Sequence, residues 1–300
     1  EACLSQLHSD GKIQIIVVDD GSSDNTAAIV SKYPVKFIKQ SHGGPAKGRN
    51  AGWRSAEGEL IFFTDSDCVP EKEWVKKMTT FFDADNIAAV GGSYDIMNPE
   101  SIVSLCIHYE IQYRHSKLPE FVKYLGSFNL AVRKSILESI EGFDESYPIA
   151  CAEDTDLSYR ITNRNYKLRF RPDCKVSHYF PTNLSKFLKQ QFWRGYWIMK
   201  IFNKHSSKSG KDNYIKTIDI VQPPLFFLII LLTTVCFIKA TFCIWLILNL
   251  IGILIHAPVV KYALKKDKNL KMLFLFVLLY LRGFFWAAGC FVGFLRFRKL

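Results

Sequence analysis

A chain of 300 residues, almost half of them hydrophobic, has room for one large or two ordinary domains, and it shows no internal repeat or low-complexity tract. Its net charge of +11 comes from lysines and arginines grouped beside apolar stretches, with no nucleic-acid module, so the expected anionic partner is a membrane surface and not nucleic acid. The eight cysteines are scattered without a Cys-x-x-Cys pair, which reads as small hydrophobes in a reducing compartment and not as disulfides or zinc ligands.

In chain order, Glu1 to Leu7 reads as a helix already under way. Ile13 to Val18 is a β-branched strand, followed by the acidic turn Asp19-Asp20-Gly21-Ser22-Ser23-Asp24 and a capped helix start at Thr26. Capping accounts for Ser22, Ser23 and Asp24. It does not account for an acidic pair at a strand end, where Asp19 and Asp20 offer acceptors to the N–H and O–H groups of a base or ribose. The loop Gly43-Gly44-Pro45-Ala46-Lys47-Gly48-Arg49 permits close backbone approach, and Lys47 and Arg49 bring positive charge toward phosphate.

The apolar run Leu60-Ile61-Phe62-Phe63 then ends in Thr64-Asp65-Ser66-Asp67. A buried strand ending this way places two carboxylates at its carboxyl edge, where open α/β sheets bind ligands. Asp65 and Asp67 can share a hard divalent cation, Mg²⁺ or Mn²⁺, which can in turn hold a diphosphate.

The succession of Val18-Asp19-Asp20-Gly21-Ser22, Ala46-Lys47-Gly48-Arg49-Asn50-Ala51-Gly52 and Asp65-x-Asp67 resembles the family 2 glycosyltransferases, whose catalytic domain has the GT-A fold, a Rossmann-like α/β sheet. Later segments extend the resemblance to about residue 200. Gly126-Ser127-Phe128-Asn129 is similar to the segment lining the acceptor side, so Gly126, Ser127 and Asn129, together with Glu153, are expected there. Glu153-Asp154 resembles the motif whose Asp is the catalytic base. By its residues alone, the stretch from Glu153 to Arg160 is also an acidic helix start with an Asp156–Arg160 pair. Gln191 and Arg194 match the Gln-x-x-Arg-Trp element of processive members, on the donor side. Gly195 stands where that pattern has Trp, which is closer to non-processive members. His178 falls where relatives often carry a His near the metal and diphosphate. Family members normally open with one more strand, and this chain begins after it. The resemblance therefore implies an unpaired sheet edge beside Ile15-Ile16-Val17 and a fragment that does not fold productively without that strand.

From Val221 the character changes. Apolar stretches near 223–238, 241–258 and 272–295 approach the ~20 residues needed to cross hydrocarbon. The first two are expected to form a transmembrane hairpin. The third, with Arg282 near its middle, is expected to be inserted or interfacial, because an unpaired charge in lipid is costly. Lys261, Lys265, Lys266, Lys268 and Lys271 place the loop between the second and third stretches on the cytoplasmic side, together with the catalytic domain.

The organisation expected is a GT-A domain over 1–203, a basic linker or interfacial segment over 204–220, and a membrane region over 221–300. The activity expected is inverting transfer of a sugar from a nucleotide-diphosphate donor to a hydroxyl of a lipid-linked or cell-envelope glycan. Asp154 is the base, and Asp65, Asp67 and His178 hold the metal. Asp19, Asp20, Lys47, Arg49, Asp65, Gln191 and Arg194 contact the donor. A nucleotidyltransferase of similar fold, releasing pyrophosphate, and a non-catalytic membrane scaffold are the alternatives.

Overall fold

The computed structural model describes residues 1–6, 13–205, 217–235 and 239–298. Most of the expected basic linker, and the turn of the expected hairpin at 236–238, lie outside the described residues. The elements run β1 (Ile16–Asp19), α1 (Thr26–Val30), β2 (Lys36–Lys39), α2 (Pro45–Arg54), β3 (Leu60–Thr64), β4 (Cys68–Pro70), α3 (Trp74–Thr79), β5 (Ile87–Ile96) and α4 (Ile102–His115). Then come β6 (Phe121–Val122), β7 (Asn129–Arg133), α5 (Lys134–Ser139), α6 (Glu153–Asn163), β8 (Lys167–His178) and α7 (Leu184–Lys204). The last four helices are α8 (Thr217–Thr233), α9 (Lys239–Leu254), α10 (Ala257–Asp267) and α11 (Phe274–Phe297). Contacts divide the chain into two units, one of residues 1–95 and 118–178, the other of residues 96–117 and 179–300. The second unit thus includes α4 and α7 with the apolar helices.

The first unit is a mixed α/β layer structure. β1 and β2 pair in parallel, Ile16 opposite Lys36 and Asp19 opposite Lys39. A second sheet has the order β3-β7-β5-β8-β4, with β6 added on β8. β3 and β7 are antiparallel, Thr64 opposite Asn129, and β4 lies antiparallel to β8 with Cys68 opposite His178. Among the described residues β1 pairs only with β2, and β3 ends its own sheet, so the edge beside Ile16–Val18 is open as the sequence reading expected. Pro45 begins α2 at a position where its missing N–H costs nothing. That helix packs closely on β1, where Gly48 and Gly52 face Val18.

Two apolar clusters fill the layers, one around Trp53, Phe63, Leu130, Leu137, Phe143 and Leu157, the other around Trp74, Met78, Ile87 and Val176. Asn129 is fully buried between them. Its amide donates to the carbonyls of Ser93 and Cys174, each at 3.0 Å, and its oxygen accepts from Trp74 Nε1 at 2.8 Å. One side chain thus joins β7 to β5, to β8 beyond it, and to α3.

In the second unit, α7 and α11 approach closely because glycines meet backbone. A Cβ on Gly289 would fall 2.0 Å from the Phe192 carbonyl oxygen, and one on Gly195 would fall 2.4 Å from that of Trp286. Gly289 and Gly293 form the small-residue spacing that lets helices pack tightly in lipid. Among the described residues, two helices are long and apolar enough to cross a membrane: Thr241–Asp267, running through α9 and α10, and Leu270–Phe297. The first apolar stretch gives a shorter helix, Ile218–Thr233, with Pro223 and Pro224 inside it. The third is one unbroken helix, and Arg282 within it is buried against protein. Its guanidinium meets Glu110 of α4 at 3.0 Å. Glu110 also pairs with Arg114, which makes a bidentate bond to Asp219 at 2.8 Å for each nitrogen. Burial works against a charge on Glu110, but Arg114 and Arg282 outweigh it and hold the carboxyl down at about 2.

Replacing Asn129 by Ala would leave two buried carbonyls and the Trp74 indole N–H without their partner. Each such group costs about 1–3 kcal/mol. Asn129→Ala is expected to lower the denaturant midpoint of the full chain by an amount that reflects at least one of these losses. An unchanged midpoint would mean that the site repacks or hydrates without cost.

Candidate active site

All the geometry that follows belongs to the first unit. The end of β1 brings two carboxylates to the sheet edge, and they are used differently. Asp20 is spent on the loop before α2: it accepts from Gln40 Nε2 at 2.6 Å, from the Gly43 amide at 2.9 Å and from the Gly44 amide at 2.8 Å. Burial opposes its charge, but these bonds and His42 prevail and hold its pKa below the ordinary value. Gly44 takes φ +88°, a conformation that favours glycine, and a Cβ there would fall 2.5 Å from the Pro148 carbonyl oxygen. Asp19 is only 2 % exposed and accepts from the Ser22 amide at 2.7 Å through Oδ1. Its Oδ2 is buried with no hydrogen-bond partner among the described residues. Of the two acidic residues expected on the nucleoside side, Asp19 keeps an acceptor in reserve. Lys47 is exposed and lies along Gly43, where an added Cβ would fall 2.2 Å from its Cδ.

Arg49 sits two residues further along α2 and is the centre of the arrangement. One guanidinium nitrogen donates to Asp65 Oδ1 at 2.9 Å, the other to Glu153 Oε1 at 2.8 Å. Burial works against its charge, yet the carboxylates of Asp65 and Glu153 more than compensate and hold it above its ordinary pKa. Glu153, at the start of α6, is buried, and its other oxygen accepts from the Cys151 and Ala152 amides at 2.9 and 3.0 Å. Three acidic residues in the first turn of α6 complement the positive end of that helix.

Asp154 follows directly. Its Oδ2 accepts from the Tyr124 hydroxyl at 3.1 Å and its Oδ1 from the Thr155 amide at 2.8 Å. Burial, and then the negative charge of Glu153, push the Asp154 carboxyl well above the ordinary carboxylate range, against the opposing pull of Arg49. A carboxyl of this kind holds and yields a proton near neutral pH.

A second constellation forms where β4 meets β8. Asp67 Oδ2 is 3.3 Å from His178 Nε2, and the donor atoms of Asp67, Cys68 and His178 all lie within 4.8 Å of one another. The hydrogen bond of His178 holds the Asp67 carboxyl below its usual range despite partial burial. An oxygen and a nitrogen donor within one ion's reach fit a divalent cation. Asp65, expected beside Asp67 on the metal, is not in this group and pairs with Arg49 instead. Burial pushes the Cys68 thiol up to about 12, with Asp65 and Asp67 adding to the effect.

Other expected residues fall in different settings. Gly126 lies under Phe128 and close to the Tyr124 hydroxyl, leaving no room for a side chain. Ser127 is buried, and Asn129 has its amide committed to the core. Glu153, expected on the acceptor side, holds Arg49. Gln191, buried, and Arg194, exposed, lie on α7 in the second unit. Tyr124 and Cys68 were not foreseen. Nothing in the sequence around Tyr124 marks it, whereas Cys68 stood directly after the Asp-x-Asp pair.

Residues 1–139 match the family described as "Glycosyl transferase family 2". The chain is 27% identical over 215 residues to "Probable glycosyltransferase YdaM" of Bacillus subtilis (strain 168), a match spanning 66% of this chain and 48% of that one. It is 24% identical over 201 residues to "Glycosyltransferase AglE" of Haloferax volcanii, spanning 64% of each. The chain thus spans about half to two thirds of the length of these curated relatives. Among solved structures it is similar to the mannosyltransferase PcManGT from Pyrobaculum calidifontis, solved with GDP-Man and Mn²⁺, at a TM-score of 0.53 and 19% identity over 70% of this chain and 59% of that one. That likeness is one of fold, and it agrees with the GT-A architecture expected from the motifs.

The raised affinity of Asp154 for its proton has a consequence for stability. The folded state holds that proton more tightly than the unfolded chain, so stability falls as pH rises from the ordinary carboxylate range toward neutrality. Asp154→Asn is therefore expected to raise the thermal midpoint at pH 7 to 8, with the gain shrinking as pH falls toward 4. A gain that is independent of pH, or a loss, would show that the carboxyl is not held under strain.

Proposed function

The chain carries a family 2 glycosyltransferase domain, and on that premise we propose that it transfers a sugar, with inversion, from a nucleotide-diphosphate donor to an acceptor hydroxyl. The observation that supports this most directly is the convergence of Asp65, Glu153 and Asp154 around Arg49, which brings three separate motifs to one place.

Asp154 takes the proton from the acceptor hydroxyl as its oxygen attacks the anomeric carbon. The bond to the nucleoside diphosphate breaks on the opposite face, so a single displacement inverts the centre and needs no carboxylate nucleophile. The Tyr124 hydroxyl, donating at 3.1 Å, orients Asp154 and keeps its second oxygen turned to the Thr155 amide. Glu153 fixes the guanidinium of Arg49, and Arg49 with Lys47 supplies positive charge to the diphosphate side. Asp19 offers its reserved oxygen to the nucleoside. Asp67 and His178 would hold Mg²⁺ or Mn²⁺, which when bound neutralises charge on the leaving diphosphate.

The acceptor we propose is a glycan or lipid-linked hydroxyl at a membrane. Among the described residues, two helices long and apolar enough to cross lipid, and the lysines from Lys261 to Lys271 at the end of the first and the start of the second, support attachment with the catalytic unit on the cytoplasmic side.

The test is product analysis with the full chain and a panel of nucleotide sugars. Release of nucleoside diphosphate, lost on chelation and in Asp67→Ala, is the expected result. Asp154→Asn is expected to bind donor normally while turnover falls by roughly 10²–10⁴. Release of pyrophosphate would assign nucleotidyl transfer instead, and weak donor binding with normal turnover would move Asp154 to the nucleotide.

A further inference from the structure

The register of β4 against β8 does more than close the sheet. Cys68 and His178 are direct cross-strand partners, so their side chains leave the same face with Cβ atoms about 4.5–5.5 Å apart. Asp67 precedes Cys68 at the turn and reaches to the same point. Four-coordinate bonds of about 2.0–2.3 Å to nitrogen, oxygen and sulfur place neighbouring donors about 3.5 Å apart. Two spacings come close to this, Asp67 Oδ2 to His178 Nε2 at 3.3 Å and Cys68 Sγ to the other carboxylate oxygen, Oδ1, at 3.8 Å, and all three residues offer donor atoms within 4.8 Å of one another. The imidazole is steadied by an edge contact with Tyr94, ring centroids 5.1 Å apart.

Cys68 also borders the apolar cluster of Trp74, Met78 and Val176, and a purely packing thiol would be at home there. Packing alone gives no reason for its sulfur to lie within 4.8 Å of donor atoms from both an imidazole and a carboxylate. Cys174 makes the comparison, since it is in the same cluster, is fully buried and has no place in the three-donor group.

We infer that Cys68 is a ligand of the metal site, so that Asp67, Cys68 and His178 form a mixed oxygen, sulfur and nitrogen centre selective for borderline divalent ions over Mg²⁺. Thiolate and imidazole donors suit Zn²⁺, Co²⁺ and their neighbours, whereas Mg²⁺ demands oxygen ligands. The thiol proton passes to solvent as the sulfur–metal bond forms. This inference rests on the proposed metal-dependent reading and narrows which ion that reading admits.

The probe is Co²⁺, titrated into the metal-free full chain and followed by absorption. A thiolate bound to Co²⁺ gives a near-ultraviolet charge-transfer band whether or not the enzyme turns over. The wild-type chain and Cys174→Ser are expected to show it, and Cys68→Ser to lose it. His178→Gln, in which Cys68 is intact, is expected to weaken Co²⁺ binding at least tenfold, which guards against a Cys68 variant that fails to fold. In turnover, Cys68→Ser is expected to shift the ratio of Mg²⁺- to Co²⁺-supported rates at least tenfold toward Mg²⁺. Co²⁺ binding without the band in the wild-type chain would overturn the ligand role of Cys68 while leaving a metal-dependent transferase in place. Absence of Co²⁺ binding together with activity that survives chelation would overturn both.

Discussion

The first unit depends on one largely buried cation, Arg49. Asp65 comes from the end of β3 and Glu153 from the start of α6, and Asp154 stands beside Glu153. Glu153 is buried, Asp154 half-buried and Asp65 partly exposed, and carboxylates brought this close repel one another. Arg49 makes the grouping tolerable because its planar fork reaches Asp65 with one nitrogen and Glu153 with the other. Burial first, and then the charge of Glu153 that Arg49 does not neutralise, raise the proton affinity of Asp154. The raised proton affinity of Asp154 thus reflects both its burial and how the charges around it are paired.

The second unit solves a similar problem in a different setting. Arg282 lies in a helix apolar enough to cross lipid, and its charge is met by Glu110, which also pairs with Arg114, itself clamped to Asp219. Two cations and two anions close on themselves, so this cluster carries no surplus charge. That network ties α4, α8 and α11 together and lowers the Glu110 carboxyl, whereas in the first unit burial and the charge of Glu153 raise that of Asp154. The glycines that seat α7 on α11 act through shape alone.

Much of this was legible in the sequence because it is local. A β-branched run ending in Asp19-Asp20, an apolar run ending in Asp65-x-Asp67, and a helix opening on Glu153-Asp154 each announce a strand end or a helix start by a few neighbouring residues. The fold class and the acidic character of the site followed from them. What the sequence hid depends on long-range pairing. That Arg49 bridges residues 16 and 104 positions away, that Arg282 finds Glu110 across 172 positions, and that Cys68 faces His178 are all facts of register and packing. Asn129 shows the converse. Its motif suggested contact with an acceptor, yet it is fully buried and its amide is consumed by two strands and an indole. Asp20 likewise serves the loop after β2, an outcome no local pattern distinguishes from a nucleoside contact.

The central claim is that Arg49 holds the acidic cluster together by pairing with Glu153, and a double-mutant cycle of stability tests it directly. Arg49→Met leaves Glu153 buried with its charge uncompensated, and Glu153→Gln removes that charge. If the pairing governs the site, Glu153→Gln will recover part of the stability lost in Arg49→Met, and the double variant will be clearly more stable than the sum of the two single losses. Losses that simply add would contradict the account, because they would mean that Arg49 and Glu153 act independently.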